Sequence, residues 1–245
     1  PSSATDLAEM KKKHFSTEST PEEGLLLAQI EDSEPVNGIR LLTLKRGSGV
    51  VTFSGSFLGG DIYAPNTNPR IPDVVVSMLD QGTSKSSKFE ISSKLENVGA
   101  RLSFSNGKAR VGFGGKSLSE DMGLVVGLLA EQLRLPAFDS EELEKTKSRL
   151  ITGYKKSKES TRGNALNSML KSFYPSGHQN AAEDPDVSIQ HIEKITADAL
   201  KKYHKEAYGT GSMVFVAVGD VNHEELSGLL KENFGDWRSS PLSDK

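Results

Sequence analysis

The stretch Ser87–Phe113, SKFEISSKLENVGARLSFSNGKARVGF, decides how the chain folds. Ser87 and Glu90 stand at capping-box spacing, where each side chain satisfies the other residue's backbone N–H at a helix start. Ile91, Leu95 and Val98 follow at helical intervals, and Gly99 suits the left-handed residue just past a helix end. Two strand-like runs, Ala100–Ser105 and Lys108–Phe113, flank Asn106-Gly107, the strongest short hairpin signal because both residues accept positive φ. A capped helix that runs directly into an antiparallel hairpin points to an α+β fold.

Reading outward in the N-terminal direction, Pro72 opens a short helix with Val75, Val76 and Leu79 on one side, closed by Gly82. Before it, Leu41–Leu44 and Val50–Leu58 are apolar or alternating, and Arg46–Gly49 between them reads as the turn of a β-hairpin. Residues 1–36 are dominated by Ser, Thr, Glu and Lys and read as an arm or linker, with Lys11–Lys13 a solvated turn. The chain begins with Pro1, as a processed form or a fragment would.

In the C-terminal direction, Ser117 and Glu120 have capping-box spacing before the stripe Leu118, Met122, Val125, Leu129 and Leu133, which Pro136 ends. Asp139 and Glu142 open a long charged helix to about Lys171, with Leu143, Leu150, Tyr154, Ala165 and Met169 on its buried side. Short helices follow near Val187–Ile192 and Thr196–Ala207. Met213–Val218 is continuously apolar, as a strand covered on both faces would be. Asn222 and Glu225 cap a last helix. The expected order is β-β-α-α-β-β-α-α-α-β-α: a mostly antiparallel sheet covered by helices on one face, with 37–240 as a single subdomain.

Bulk properties narrow the function. A chain of 245 residues, 35% hydrophobic and 26% charged, can bury a core and is not globally disordered. A net charge of −3 argues against a dedicated nucleic-acid binder. The lack of cysteine excludes disulfides, thiolate metal sites and cysteine nucleophiles. No apolar run reaches the ~18 residues of a membrane span.

Little chemistry stands out. None of the five histidines, His14, His178, His191, His204 and His223, is paired at the spacing that sets two imidazoles on one helical face for zinc. His178 reads as a loop residue and His204 as a solvated helix residue. Gly114-Gly115-Lys116-Ser117 resembles part of a phosphate loop, but the leading glycine position is Arg110, and the plainer reading is a glycine-rich turn into a helix cap. Ser54-Gly55-Ser56 reads as exposed strand, Glu141-Glu142 as carboxylates complementing a helix dipole, and Lys155, Lys156 and Lys158 as a solvated face.

An ordered series of segments nevertheless resembles the insulinase/pitrilysin family of zinc metallopeptidases. It comprises Met78–Thr83, Leu95–Ala100 with its hairpin, Leu118–Asp121 leading into Leu128–Leu133, Pro136-Ala137-Phe138 with Glu141–Leu143, Phe173-Tyr174-Pro175 with Gly177-His178, and Val218–Val221. Active members of that family carry H-x-x-E-H on the helix before the first segment; the histidines bind zinc, the glutamate activates water, and a distal glutamate completes the metal shell. The resemblance aligns those positions with Asp73, Val76, Ser77 and Gly153, so it implies no zinc and no catalytic residue in this domain. It further implies a non-catalytic half that helps enclose peptide substrates, beside a homologous zinc-bearing half in the same chain or in a partner subunit. A scaffold subunit keeping the fold without a protease partner is the alternative. The family's substrate strand aligns with Ala100–Ser105, which makes Ser103, Phe104 and Ser105 candidate peptide contacts by strand addition. Many bacterial two-half proteases of this kind are exported, so a periplasmic location is the expectation.

Overall fold

The computed structural model describes residues 27–240 and 242, apart from 48, 176, 177, 179 and 182. Residues 1–26, with Lys11–Lys13 and His14, and Ser176 and Gly177 lie outside the described residues.

Among the described residues, six strands form one sheet in the order β1-β2-β6-β3-β5-β4. They are β1 (Ile30–Val36), β2 (Ile39–Lys45), β3 (Val50–Leu58), β4 (Arg101–Asn106), β5 (Arg110–Leu118) and β6 (Met213–Gly219). Every pairing is antiparallel except β2 with β6. The α+β expectation with a mostly antiparallel sheet is therefore met.

Several finer expectations are not. The stretch read as an arm reaches into the sheet, because Ile30–Val36 pairs with β2 as an edge strand. The hairpin read from Leu41–Leu44 and Val50–Leu58 does not form. β6 lies between β2 and β3 and pairs with both, its apolar run supplying the centre of the sheet. Past the end of β2, the Arg46 N–H donates to the Gly219 carbonyl at the end of β6, at 2.6 Å. Nor is β6 covered on both faces: Met213, Phe215 and Ala217 are buried, while Val214 and Val216 are half-buried and Val218 is exposed.

Gly114–Ser117 is neither a turn nor a phosphate loop. It lies inside β5, paired with Val51–Ser54, and Ser117 is buried in the strand with no cap to make. The glycines there accommodate aromatic rings. Phe53 lies opposite Gly115, and a Cβ on Gly115 would come within 2.4 Å of the Phe53 ring. Gly55 lies between Phe113 and Phe215, and a Cβ there would meet the Phe113 ring at 2.2 Å. The three rings can then pack together, with Phe53–Phe215 and Phe113–Phe215 centroids 5.3 and 5.6 Å apart.

The buried face of the sheet packs against helices α1 (Ile71–Met78), α3 (Met122–Arg134), α4 (Ser140–Glu159), α6 (Pro185–Glu193), α7 (Ala197–Ala207) and α8 (His223–Phe234), all of which contribute to one core. Between α1 and β4 lies α2 (Lys88–Asn97), and between α4 and α6 lies α5 (Thr161–Phe173). The capping box at Ser87 and Glu90 is present in full, and Asp139 and Asn222 cap α4 and α8. The long helix read to Lys171 breaks at Ser160, whose extended backbone ends α4 and whose hydroxyl caps α5. Leu143 is buried and Leu150 and Tyr154 pack against the core, but Ala165 and Met169, assigned to the same buried side, are exposed.

Candidate functional site

α1 starts with Pro72 in its first turn, where a missing N–H costs nothing, and Asp73 in that turn complements the helix dipole. Val74, Val75 and Met78 anchor it in the core. Asp73, Val76, Ser77 and Asp80 line one wall of a concavity of about 230 Å³, opposite Phe104, Ser105 and Asn106 of β4 and Arg149 of α4. Of the positions that the sequence reading singles out, Asp73, Val76, Ser77, Phe104 and Ser105 thus share one site. Gly153 and Ser103 do not belong to it. Gly153 is exposed on α4, and the Ser103 hydroxyl donates to the Gly114 carbonyl at 3.3 Å.

A polar network surrounds Asp73. The Asn106 amide nitrogen donates one hydrogen to Asp73 at 2.8 Å and the other to Asp61 at 2.7 Å, bridging two carboxylates. Arg70 reaches Asp73 at 3.5 Å, donates to Glu183 through Nε at 2.8 Å and lies 3.2 Å from the Tyr154 hydroxyl. Glu183 also accepts from Ser188 at 2.7 Å and faces His191 Nδ1 at 3.1 Å. The end of β4, the start of α1, α4 and the segment before α6 therefore meet around one guanidinium.

Burial raises the Asp61 pKa, and the nearby Asp73 charge adds to the shift against the Asn106 hydrogen bond. Burial also works against the Glu183 charge, but hydrogen bonds from Ser188 and Arg70 outweigh it and hold that carboxyl below its usual range. Glu183 is thus the settled anion that balances Arg70.

This donor set does not fit zinc. Asp73 offers one carboxylate already engaged by Asn106 and Arg70, Val76 has no donor, and Ser77 is a weak neutral ligand. Among the described residues, no group of three or more His, Asp or Glu side chains could hold a metal ion. The neighbouring cation is Arg70.

Arg70, Asp61 and Glu183 belong to the site but to none of the sequence motifs. The i,i+3 spacing of Arg70 and Asp73 was a readable signal for one pair. Arg70 and Glu183, 113 residues apart, left none. His204, read as solvated, is instead half-buried: Nε2–H donates to the Leu133 carbonyl at 2.8 Å, and Phe138 and Tyr208 pack against the ring.

Comparison with known proteins bears on the same region. The family model described as insulinase (peptidase family M16) matches residues 57–183, and that described as the peptidase M16 inactive domain matches 194–245. The β subunit of the mitochondrial-processing peptidase from Dictyostelium discoideum is 23% identical over 84% of this chain, and its rat counterpart 23% over 90%. The chain spans only 44% and 45% of those proteins' lengths. A solved peptidase M16 inactive domain from Pseudomonas fluorescens superposes with a TM-score of 0.79 at 20% identity, covering 88% of this chain and 52% of that one. The periplasmic protease PqqL from Escherichia coli gives a TM-score of 0.75 at 14% identity, covering 88% and 25%. With the insulinase model matching more than half of its length, the chain belongs to the insulinase family, peptidase family M16.

Proposed function

We propose that this chain is a non-catalytic domain of a zinc-dependent metallopeptidase, which packs against a homologous zinc-bearing half and helps enclose peptide substrates. The observation that carries the reading is the concavity between α1 and β4. Where a zinc peptidase needs imidazoles and a general base, Asp73, Val76 and Ser77 stand beside an arginine. Valine cannot accept a proton from water, and a fixed guanidinium repels a second cation.

Two features support a role in substrate enclosure. β4 is an edge strand with one side unpaired within the sheet, so an extended peptide can add to it through main-chain hydrogen bonds. Phe104 and Ser105 on that strand also line the concavity. The similarity to both α and β subunits of mitochondrial-processing peptidases supports a homologous partner.

The test is metal analysis and peptidase assay of the purified chain, followed by mixing with a homologous half that carries H-x-x-E-H. The expectation is no stoichiometric zinc, no hydrolysis by the chain alone, and hydrolysis by the mixture. About one tightly held zinc per chain, or cleavage by the isolated chain, sinks the reading.

A further inference from the structure

Away from the concavity, α7 and the segment after α8 build a second groove, of about 580 Å³, lined by Lys201, Lys202, Lys205, Glu206 and Arg238. Four of these five residues are cationic, although the chain as a whole carries a net charge of −3. Among the described residues, none of the four cations forms an ion pair or a side-chain hydrogen bond; on α4, Lys145, Lys147 and Lys158 have carboxylate partners and Lys155 and Lys156 have none.

Lys201 and Lys205 are i,i+4 neighbours of like charge, a spacing that costs a helix about 0.2–0.5 kcal/mol, while Asp198 and Glu206 stand at i,i+4 from Lys202 and offset the positive field there in part. Lys205 in the last turn complements the helix dipole, but that effect fades within a turn and does not reach Lys201 and Lys202. Arg238 comes from a different segment and adds to the same positive field.

We infer that this groove is a docking site for an acidic protein segment, one that carries carboxylates interspersed with apolar side chains. The groove surface is mostly the methylene of lysine stems, which packs against apolar groups while the ammonium heads meet charge at the rim. Three of the four cations are lysines, point charges suited to separate carboxylates; planar bidentate recognition of phosphate favours arginine. Glu206 inside the groove opposes a uniformly dense polyanion such as polyphosphate. This inference is independent of the metal-site reading, because no lining residue is shared between the two concavities.

The experiment titrates the full chain with fluorescein-labelled decapeptides, one alternating Glu with Leu or Phe and one with Gln replacing every Glu, and with polyphosphate. The expected result is binding of the Glu peptide that weakens with added salt, and at least about tenfold weaker binding to the chain carrying K201E, K205E and R238E. A chain carrying K155E and K156E, on α4 and outside the groove lining, should bind as the original does. Amine-reactive footprinting of the unaltered chain should show Lys201 and Lys205 protected by the Glu peptide, a readout that stands even where the triple variant folds poorly. Equal binding of the Gln peptide, unchanged affinity in the triple variant, or tighter binding of polyphosphate than of the Glu peptide overturns the proposal.

Discussion

Arg70 is the residue on which the site turns. Its guanidinium joins Glu183, Asp73 and Tyr154, and about one-fifth of its side chain is exposed (21%), so water replaces a lost partner only in part. R70M keeps the stem and removes the charge, leaving Glu183 and Asp73 without their cation. The expected cost is about 1–3 kcal/mol in urea denaturation, the range for a hydrogen-bonded group left unsatisfied. E183Q should cost less, and R70M with E183Q together less than the sum of the two, because both changes break the same pair. Additive losses would show that the network is not coupled.

His204 makes a second prediction at this scale. Burial lowers its pKa, and the weaker opposing effect of its Leu133 hydrogen bond does not restore it. The unfolded chain therefore takes up the proton first as pH falls from about 6.5, and the native state loses stability. The contribution is fully present above the ordinary histidine pKa and is lost on acidification through the lowered one. H204Q keeps a donor for the Leu133 carbonyl but cannot titrate. Its melting temperature should fall less between about pH 7.5 and about pH 5.5 than that of the unaltered chain. Equal falls would assign the acid sensitivity to other groups.

Elements differ in how far the sequence reveals them. Ser87 with Glu90, Asp139 and Asn222 each announce a helix start through one short-range interaction, whereas the Ser160 cap is hidden inside a continuous helical pattern. Asn106-Gly107 marks the hairpin but not its turn, since Asn106 ends β4 opposite Val111 and neither residue has positive φ. In β5 the glycines of Gly114–Ser117 carry no turn. They are absent side chains that make room for Phe53 from the neighbouring strand, a partner some sixty positions away (Phe53↔Gly115). The same physics predicts that G55A costs about 1–3 kcal/mol or more, because its Cβ would drive into the Phe113 ring at 2.2 Å and the Val214 carbonyl at 2.4 Å. Chemical denaturation checks this, and the loss in the G55A/F113A double variant should be smaller than the sum of the two single losses, because F113A vacates the space that the new Cβ needs. The site divides in the same way. Asp73, Val76 and Ser77 are legible only through the family resemblance, which aligns H-x-x-E-H with them, whereas the Arg70–Glu183 pair requires the tertiary fold.

At the scale of the molecule, the last strand in sequence is a central strand in space. β6 joins the β1–β2 ribbon to β3–β5–β4, and among the described residues no other strand pairs with both parts. A chain ending at Ser212 would lose that join together with the buried Met213, Phe215, Ala217, Leu226, Leu230 and Phe234. Truncating one large buried aromatic costs about 3–5 kcal/mol, and a domain holds only about 5–15 kcal/mol in total. The two remaining pieces do not compensate, since a two-stranded ribbon is marginal on its own in water. The truncated chain should therefore show no cooperative thermal transition and no near-ultraviolet circular dichroism. Adding a peptide spanning residues 211–240 should restore both, because the register of β6 is specified from either side, by Leu41↔Phe215 on one edge and Phe53↔Ala217 on the other. A cooperative melt from the truncated chain alone would mean that the β1–β2 ribbon and the β3–β5–β4 unit can close against each other without β6, which their separation in the sheet order forbids.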